Sequence, residues 1–391
     1  MTPADPPADP PAGTSHTREL AVLTGAKTVA NVALRWVSVF LPTLERAFST
    51  STGTLTTIMG AAELGGLSTT GTGRWLDRGH ERRVFLAGTF AVAVSSAIAL
   101  GGTTWTFAIA YALLIVGVGN LTVAGHAWIG HRVAFTARGR SIGVFELSWA
   151  LALLLGAPLL ALLIRTFGWR APYVGLILAA LLAGAVVLRW VTPGVPVPAS
   201  GEPPAPLPRS AFAPMIASAA TAAAGLGIFV VSGAWLDDRY DVSTGGLGAV
   251  AAASGAVELM SSSAVATISD RVGARRSVLA GLVILLGGVV LMLAAGDSKP
   301  VAIAALLVFL CGFEYGFVSS LTLVSEAAPF ARGRAIGISN AFGTLARSSS
   351  VVVSGQLYEA FGIEGSLAWV TAAATVAAAM TLLTRAAGRT R

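Results

Sequence analysis

The sequence predicts an all-α integral membrane protein of twelve transmembrane helices, arranged as two pseudo-symmetric six-helix bundles. Three observations carry that expectation. First, 54% of the residues are hydrophobic and 12% are charged, with a mean hydropathy of +0.75, against about 25% charged residues in soluble domains. Second, the chain divides into twelve apolar runs, each close to the ~20 residues that a spanning helix needs. Third, the chain repeats itself at half its length. Asp77-Arg78 returns as Asp270-Arg271, and Arg138-Gly139-Arg140-Ser-Ile-Gly143 returns as Arg332-Gly333-Arg334-Ala-Ile-Gly337. Phe167-Gly168 returns as Phe361-Gly362, and Glu63 has a counterpart in Glu258 once a two-residue length difference is allowed. A repeat of this period makes each half a structural unit.

Residues 1–18 are rich in Pro, Ala and Asp and lack apolar periodicity, so a disordered cytoplasmic tail is expected there. They do not resemble a signal peptide, which needs a basic start and a short apolar core. The first bundle is placed at 19–191, with spans near 20–43, 53–76, 84–101, 104–130, 141–164 and 171–190. A Pro-rich stretch at 192–210 reads as a cytoplasmic linker. The second bundle is placed at 211–386, with spans near 211–235, 246–268, 277–296, 300–325, 335–357 and 366–385, followed by a cytoplasmic tail at 387–391. Six spans per half bring each half back to the side it started from, so the halves are parallel copies related by an axis along the membrane normal.

The net charge of +7 sorts by side. With the N-terminus inside, 18 of the 26 Lys and Arg residues fall on inner segments and five on outer loops, namely Arg46, Arg165, Arg170, Arg239 and Lys299. The positive-inside rule therefore assigns both termini to the cytoplasm of a multi-pass protein in the plasma (inner) membrane. The basicity reports topology, and no nucleic-acid partner is implied. Cys311 is the one cysteine, which excludes a disulfide framework and a cysteine-based metal site. No His-Glu-x-x-His, Gly-x-Ser-x-Gly or Gly-x-x-x-x-Gly-Lys-Ser/Thr motif occurs, so no enzyme is expected and no cofactor. A transporter-shaped scaffold without flux would have no need of the embedded charges.

The stretch Gly73-Arg-Trp-Leu-Asp77-Arg78-Gly-His80-Glu-Arg82 and its second copy, Asp270-Arg271-Val-Gly273-Ala-Arg275-Arg276, resemble the loop signature of the major facilitator superfamily of secondary transporters. His80 stands where the signature carries its second glycine. Glu146-Leu-Ser-Trp149-Ala, Gly156-Ala-Pro158 and Gly168-Trp-Arg170-Ala-Pro172 resemble proton-coupled export members of that family. Export members often carry an Arg in span four, four residues before a glycine; the position before Gly117 is Leu113, which moves a proton path to other residues. Asp77 and Asp270 fall at the inner ends of spans two and eight, the side on which spans five and eleven begin. A helix start offers free N–H groups and a positive dipole end to such an Asp. The resemblance implies that these contacts lock the bundles on the cytoplasmic face.

A charge near the bilayer centre costs roughly 2.5 to 3.5 kcal/mol on insertion scales, so each one asks for a reason. Lys27, Asn31 and Arg35 share a face of span one, Asn340, Thr344 and Arg347 a face of span eleven, and Ser254, Glu258 and Ser262 a face of span eight. Such stripes are expected to face a water-filled path, although polar packing between helices of one bundle is the alternative. Lys27 and Arg35 are expected to balance Glu63 and Glu146 in the first half, leaving Arg347 against Glu258 and Glu314 in the second. The surplus carboxylate nominates Glu314 first and Glu258 second as groups that take up and release protons, against the alternative of a permanently protonated hydrogen-bond donor. His126 is a second candidate proton carrier or a structural group. His131, about 140° further round the helix, cannot join it on a metal, and no metal site is expected. Trp36, Phe145, Trp149 and Tyr315 are expected beside the charged stripes as an apolar binding surface.

The function expected from these features is secondary active transport by alternating access, the proton-driven export of a small amphipathic or drug-like molecule by a monomer. The alternative is an uptake symporter or facilitator for a small polar or anionic solute, which Arg35 and Arg347 would meet.

Overall fold

In a computed structural model of the chain, residues 14–194, 207–328 and 332–384 are described. They are helical almost throughout. Nine helices among them are long and apolar enough to cross a membrane, and the last, Arg334–Leu383, is long enough for two crossings. Two further crossings escape that criterion. The helix α1 (Thr14–Val39) has its apolarity lowered by Lys27, Asn31 and Arg35, and span two is broken into α3 (Thr52–Glu63), a 3-10 stretch (Leu64–Ser68) and α4 (Thr69–Asp77). A short helix, α2 (Leu41–Phe48), separates spans one and two.

The first half continues with α5 (Glu81–Ala99), α6 (Thr104–Arg132), α7 (Phe135–Leu151), a π-helical turn (Ala152–Gly156), α8 (Ala157–Phe167) and α9 (Ala171–Trp190). The second holds α10 (Phe212–Tyr240), α11 (Thr244–Val272), α12 (Ala274–Ala294), α13 (Lys299–Ala327) and α14 (Arg332–Leu383). Spans eleven and twelve are the two arms of α14, which turns at Gly362, where φ is +68° and glycine is at ease.

Local chemistry explains the ends and the breaks. Hydroxyl side chains of Ser51, Thr103 and Ser243 cap the first turns of α3, α6 and α11. Pro158 lacks the N–H that would bond one turn back, and the π-turn of span five lies directly before it. The N-terminal helix begins at Thr14, inside the stretch expected to be a disordered tail. Residues 14–18 are ordered by contacts: Arg18 lies on the Trp190 ring, and buried Glu19 accepts from the Thr192 backbone and hydroxyl at 3.2 to 3.4 Å. Residues 1–13, most of the linker (195–206) and the tail from 385 lie outside the described residues.

Within the first bundle α5 packs on α6 and α9, and α1 on α7 and α9; in the second, α10 packs on α13 and α14, and α12 on α13. The bundles meet along α3 with α14 and along α11 with α8 and the π-turn. Both seams are too tight for side chains. A Cβ at Gly60 would lie 2.7 Å from the Ser348 carbonyl, and one at Gly255 would lie 2.6 Å from the Leu154 nitrogen. Counting crossings from the termini places the outer ends of both seams on the face opposite the termini, called here the far face.

Candidate transport pathway

The polar stripe of α1 is fastened to span five. Lys27 Nζ bonds Glu146 Oε1 at 2.7 Å, Asn31 donates to Ser148 Oγ at 3.1 Å, and Arg35 Nη1 donates to the Trp149 carbonyl at 2.9 Å. Lys27 is 2% exposed and Glu146 44%, so the cation is buried behind a carboxylate that reaches open space. His126 Nε2 shares the same Glu146 oxygen at 2.8 Å.

Two ion pairs cross between the bundles. Arg35 forms a bidentate pair with Glu258 at 2.5 and 2.7 Å, with the side chains 4% and 2% exposed. Arg347 Nε meets Glu63 at 3.4 Å, with side chains 33% and 14% exposed, and Arg347 also donates to Thr344. The expected balance within each half is therefore corrected. Lys27 and Glu146 do cancel inside the first half, but Arg35 and Glu63 each find their partner in the second, because spans one and two border the seam. The surplus remains where it was expected. Glu314, 8% exposed, accepts from Ser262 at 2.7 Å, and among the described residues no Lys or Arg lies within ion-pair distance of it.

The aromatic surface is smaller than expected. Trp36 is buried against Tyr173, with ring centres 5.0 Å apart. Phe145 is buried under Lys27, whose Nζ lies 4.2 Å from the ring centre. The Tyr315 hydroxyl turns to Ser277 of its own bundle at 3.4 Å. A one-residue step rotates a helical side chain by about 100°, which carries Trp36 and Tyr315 away from the faces of Arg35 and Glu314. Trp149 stays beside the charges, with the Arg35 guanidinium 4.2 Å from its ring centre. Asn340 is exposed one turn from Thr344, whose hydroxyl donates to its carbonyl.

On the face that carries the termini, Gly73 precedes exposed Asp77 and Arg78 at the end of α4, and Asp77 has no hydrogen-bond or ion-pair partner among the described residues. Arg82 donates to the Leu188 carbonyl at 2.6 Å, and Arg275, its repeat equivalent, donates to the Leu382 carbonyl at 2.7 Å. Each caps the C-terminal end of the last span of its own bundle, where free carbonyls and the dipole favour a cation. Gly273, at φ +91°, ends α11, and Arg271 and Arg276 are exposed around it. The side chain of Asp270 lies outside the described residues.

Two clusters were not singled out from the sequence. Glu81, at the start of α5, is buried, with His131 Nδ1 at 2.5 Å and Arg132 at 3.7 Å. An acid in a run of arginines was the available signal. On the far face, Glu359 accepts from the Gly53 backbone N–H at 2.6 Å, Gln356 donates to Gly53 O and Thr57, and Arg46 pairs with Asp237 at 2.6 Å. All of these contacts join the two bundles, and nothing in either half's own pattern announces them. Glu45 hydrogen-bonds Thr52 in the same region; burial pushes its carboxyl above the ordinary value, Thr52 and Arg46 oppose that, and Asp238 and Asp237 add to it.

The family model described as Major Facilitator Superfamily matches residues 24–350 and 215–390. The chain belongs to the major facilitator superfamily. Its fold is shared with solved members at low sequence identity. A bacterial homologue of the human lysosomal transporter Spinster, inward-facing and unoccupied, superposes with a TM-score of 0.76 at 13% identity, covering 95% of each chain. The same homologue, inward-facing and occupied, gives 0.72 at 14% identity, covering 95% of this chain and 97% of that one. The human organic anion transporter MFSD10 (TETRAN) gives 0.68 at 17%, covering 96% and 100%. No curated relative matches the chain. As a member of this superfamily it is a multi-pass membrane protein and a secondary transporter of a small molecule.

Proposed function

We propose that this transporter couples export of a small amphipathic or drug-like molecule to the proton gradient, from a plasma membrane in which both termini are cytoplasmic. The observation that carries the reading is Glu314: a nearly buried carboxylate, held among the described residues by Ser262 alone, on the helix next to the seam that Arg35 and Glu258 bridge. The other embedded charges pair off, so uptake or loss of one proton at Glu314 changes the net charge of the membrane interior. The seams at the far face are closed and Asp77 on the terminal face is exposed, which corresponds to the cytoplasm-open half of an alternating-access cycle. Trp149, with the Arg35 guanidinium 4.2 Å from its ring centre, supports export of an amphipathic molecule by setting an apolar surface beside the charges. Arg347 favours a second reading, transport of a small anionic solute, because it is one-third exposed and holds Glu63 only at 3.4 Å.

The test is purified protein in liposomes containing a pH-sensitive dye, with an imposed pH gradient and a panel of cationic, neutral and anionic compounds. Proton movement opposite to compound, abolished in Glu314→Gln, supports the reading. Compound movement without a proton signal, or a Glu314→Gln variant with unchanged coupling, overturns it; restriction of flux to anions with loss in Arg347→Gln selects the second reading.

A further inference from the structure

On the face that carries the termini, the last turn of α9 meets the start of α1. Two arginines from these elements lie against one indole: the Arg18 guanidinium carbon is 2.7 Å from a ring centre of Trp190, and that of Arg189 is 5.0 Å from one. All three side chains are exposed, and among the described residues neither arginine forms an ion pair or donates a hydrogen bond. The acids at this end are buried and engaged elsewhere, Glu19 by Thr192 and Glu81 by His131 and Arg132. A helix's free carbonyl end would repel an anion, but here Arg82 covers the Leu188 carbonyl at 2.6 Å. Two unspent positive charges are left on one ring.

Beside them runs an apolar ridge. Leu178, Leu182, Ala185 and Arg189 are spaced i, i+4, i+7 and i+11, which places them on one face of α9, and all four are exposed. Of the nine membrane-long helices among the described residues, α9 is the least covered by its neighbours. In a membrane protein such a face meets lipid, and a tryptophan at its end stands at headgroup level. Topology does not ask for this grouping. Positive charge retained on the terminal side could be carried by either half, yet the residues equivalent to Arg189 and Trp190 at the end of span twelve are Leu383 and Thr384.

We propose that this face binds one anionic phospholipid, its phosphate held by Arg18 and Arg189 beside Trp190 and an acyl chain laid along Leu182 and Leu178. Guanidinium groups match phosphate oxygens through paired N–H donors, and basic clusters at the membrane surface attract anionic headgroups. The ridge selects a lipid over a free phosphate, which would gain nothing from it. A lipid seated here ties the first span of the bundle to its last. Its binding does not depend on the cargo or on proton coupling.

The experiment is native mass spectrometry of the full-length protein in detergent, titrated with phosphatidylglycerol or phosphatidylcholine. One phosphatidylglycerol should be retained ahead of any others, and phosphatidylcholine should bind at least about tenfold more weakly. Arg18→Gln/Arg189→Gln should weaken the first phosphatidylglycerol by at least about tenfold, whereas Arg271→Gln/Arg276→Gln, the same loss of charge on the same face of the other bundle, should bind it as the wild type does. The unfolding temperature of each variant is checked in parallel. Arg189→Gln alone, which leaves Arg18 on its ring, should still weaken binding about fivefold. An excess of sn-glycerol 3-phosphate should leave the lipid in place. Equal retention of the two lipids, undiminished binding by Arg18→Gln/Arg189→Gln, or an equal loss in Arg271→Gln/Arg276→Gln overturns the proposal, and so does displacement by sn-glycerol 3-phosphate, which would assign the site to a free phosphate.

Discussion

Replacing Arg35 by methionine should damage this protein far more than replacing Arg347. In the wild-type structure Glu258 is 2% exposed and receives two guanidinium N–H groups at 2.5 and 2.7 Å. Removing the arginine leaves that carboxylate buried without a partner, a change that costs about 3–5 kcal/mol, and it also strips a donor from the Trp149 carbonyl. Arg347 and Glu63 are 33% and 14% exposed and 3.4 Å apart, so their pair belongs with solvent-screened bridges, which contribute at most about 1 kcal/mol. A double-mutant cycle separates the two cases. Arg35→Met, Glu258→Met and the double variant are compared by SDS-induced unfolding, alongside Arg347→Met, Glu63→Met and their double. The double Arg35→Met/Glu258→Met should recover most of the single-variant loss, because a buried pair is replaced by apolar groups of similar volume. The reasoning fails if Arg35→Met costs no more than Arg347→Met, or if adding Glu258→Met recovers nothing.

Three further outcomes are expected. Glu359→Ala removes the acceptor for the Gly53 N–H on the far face; caps of this kind contribute about 1 kcal/mol, so reagent access to a cysteine placed at Thr57 should rise roughly fivefold, as follows from RT. Gly60→Leu collides with Val352 and the Ser348 backbone, so far-face closure should fail and transport should stop while the same cysteine becomes fully reactive; normal flux in this variant would contradict the closed seam. Burial raises Glu45 above its ordinary value of 4.5. A raised carboxyl favours the closed, proton-bound form at low pH, and this contribution is lost as pH climbs from the ordinary value through the raised one. Far-face closure, read by the same labelling, should therefore loosen as external pH rises above that value, and Glu45→Gln should flatten the dependence.

The broad architecture was legible because it rests on quantities a sequence carries directly. Apolar run length reports spans, and the return of Asp77-Arg78 at Asp270-Arg271 reports two like halves. Glu314 was found as a surplus of charge, and that arithmetic holds whichever arginine pairs with which acid. The pairing itself was illegible: Arg35 reaches Glu258 and Arg347 reaches Glu63 because spans of opposite bundles lie side by side, an adjacency that no periodicity encodes. Side-chain direction was lost for a similar reason. Trp36 and Tyr315 sit one residue from a charged stripe, and one residue is enough to turn them into the packing of their own bundle. The start of α1 was misplaced because Arg18 and Glu19 are ordered by Trp190 and Thr192, groups distant in sequence.

The reach of Arg35 also bears on how the molecule is made. Glu258 lies 223 residues downstream, and at about 5–20 residues per second the ribosome needs roughly 10 to 45 seconds to deliver it. During that interval span one has left the translocation channel, or waits beside it, carrying a guanidinium whose permanent counter-ion has not yet been synthesised. Lys27 waits for a shorter time, since Glu146 follows it by 119 residues. Birth of this chain is thus a staged neutralisation, in which the first helix is held provisionally and is sealed into place only when the second bundle arrives.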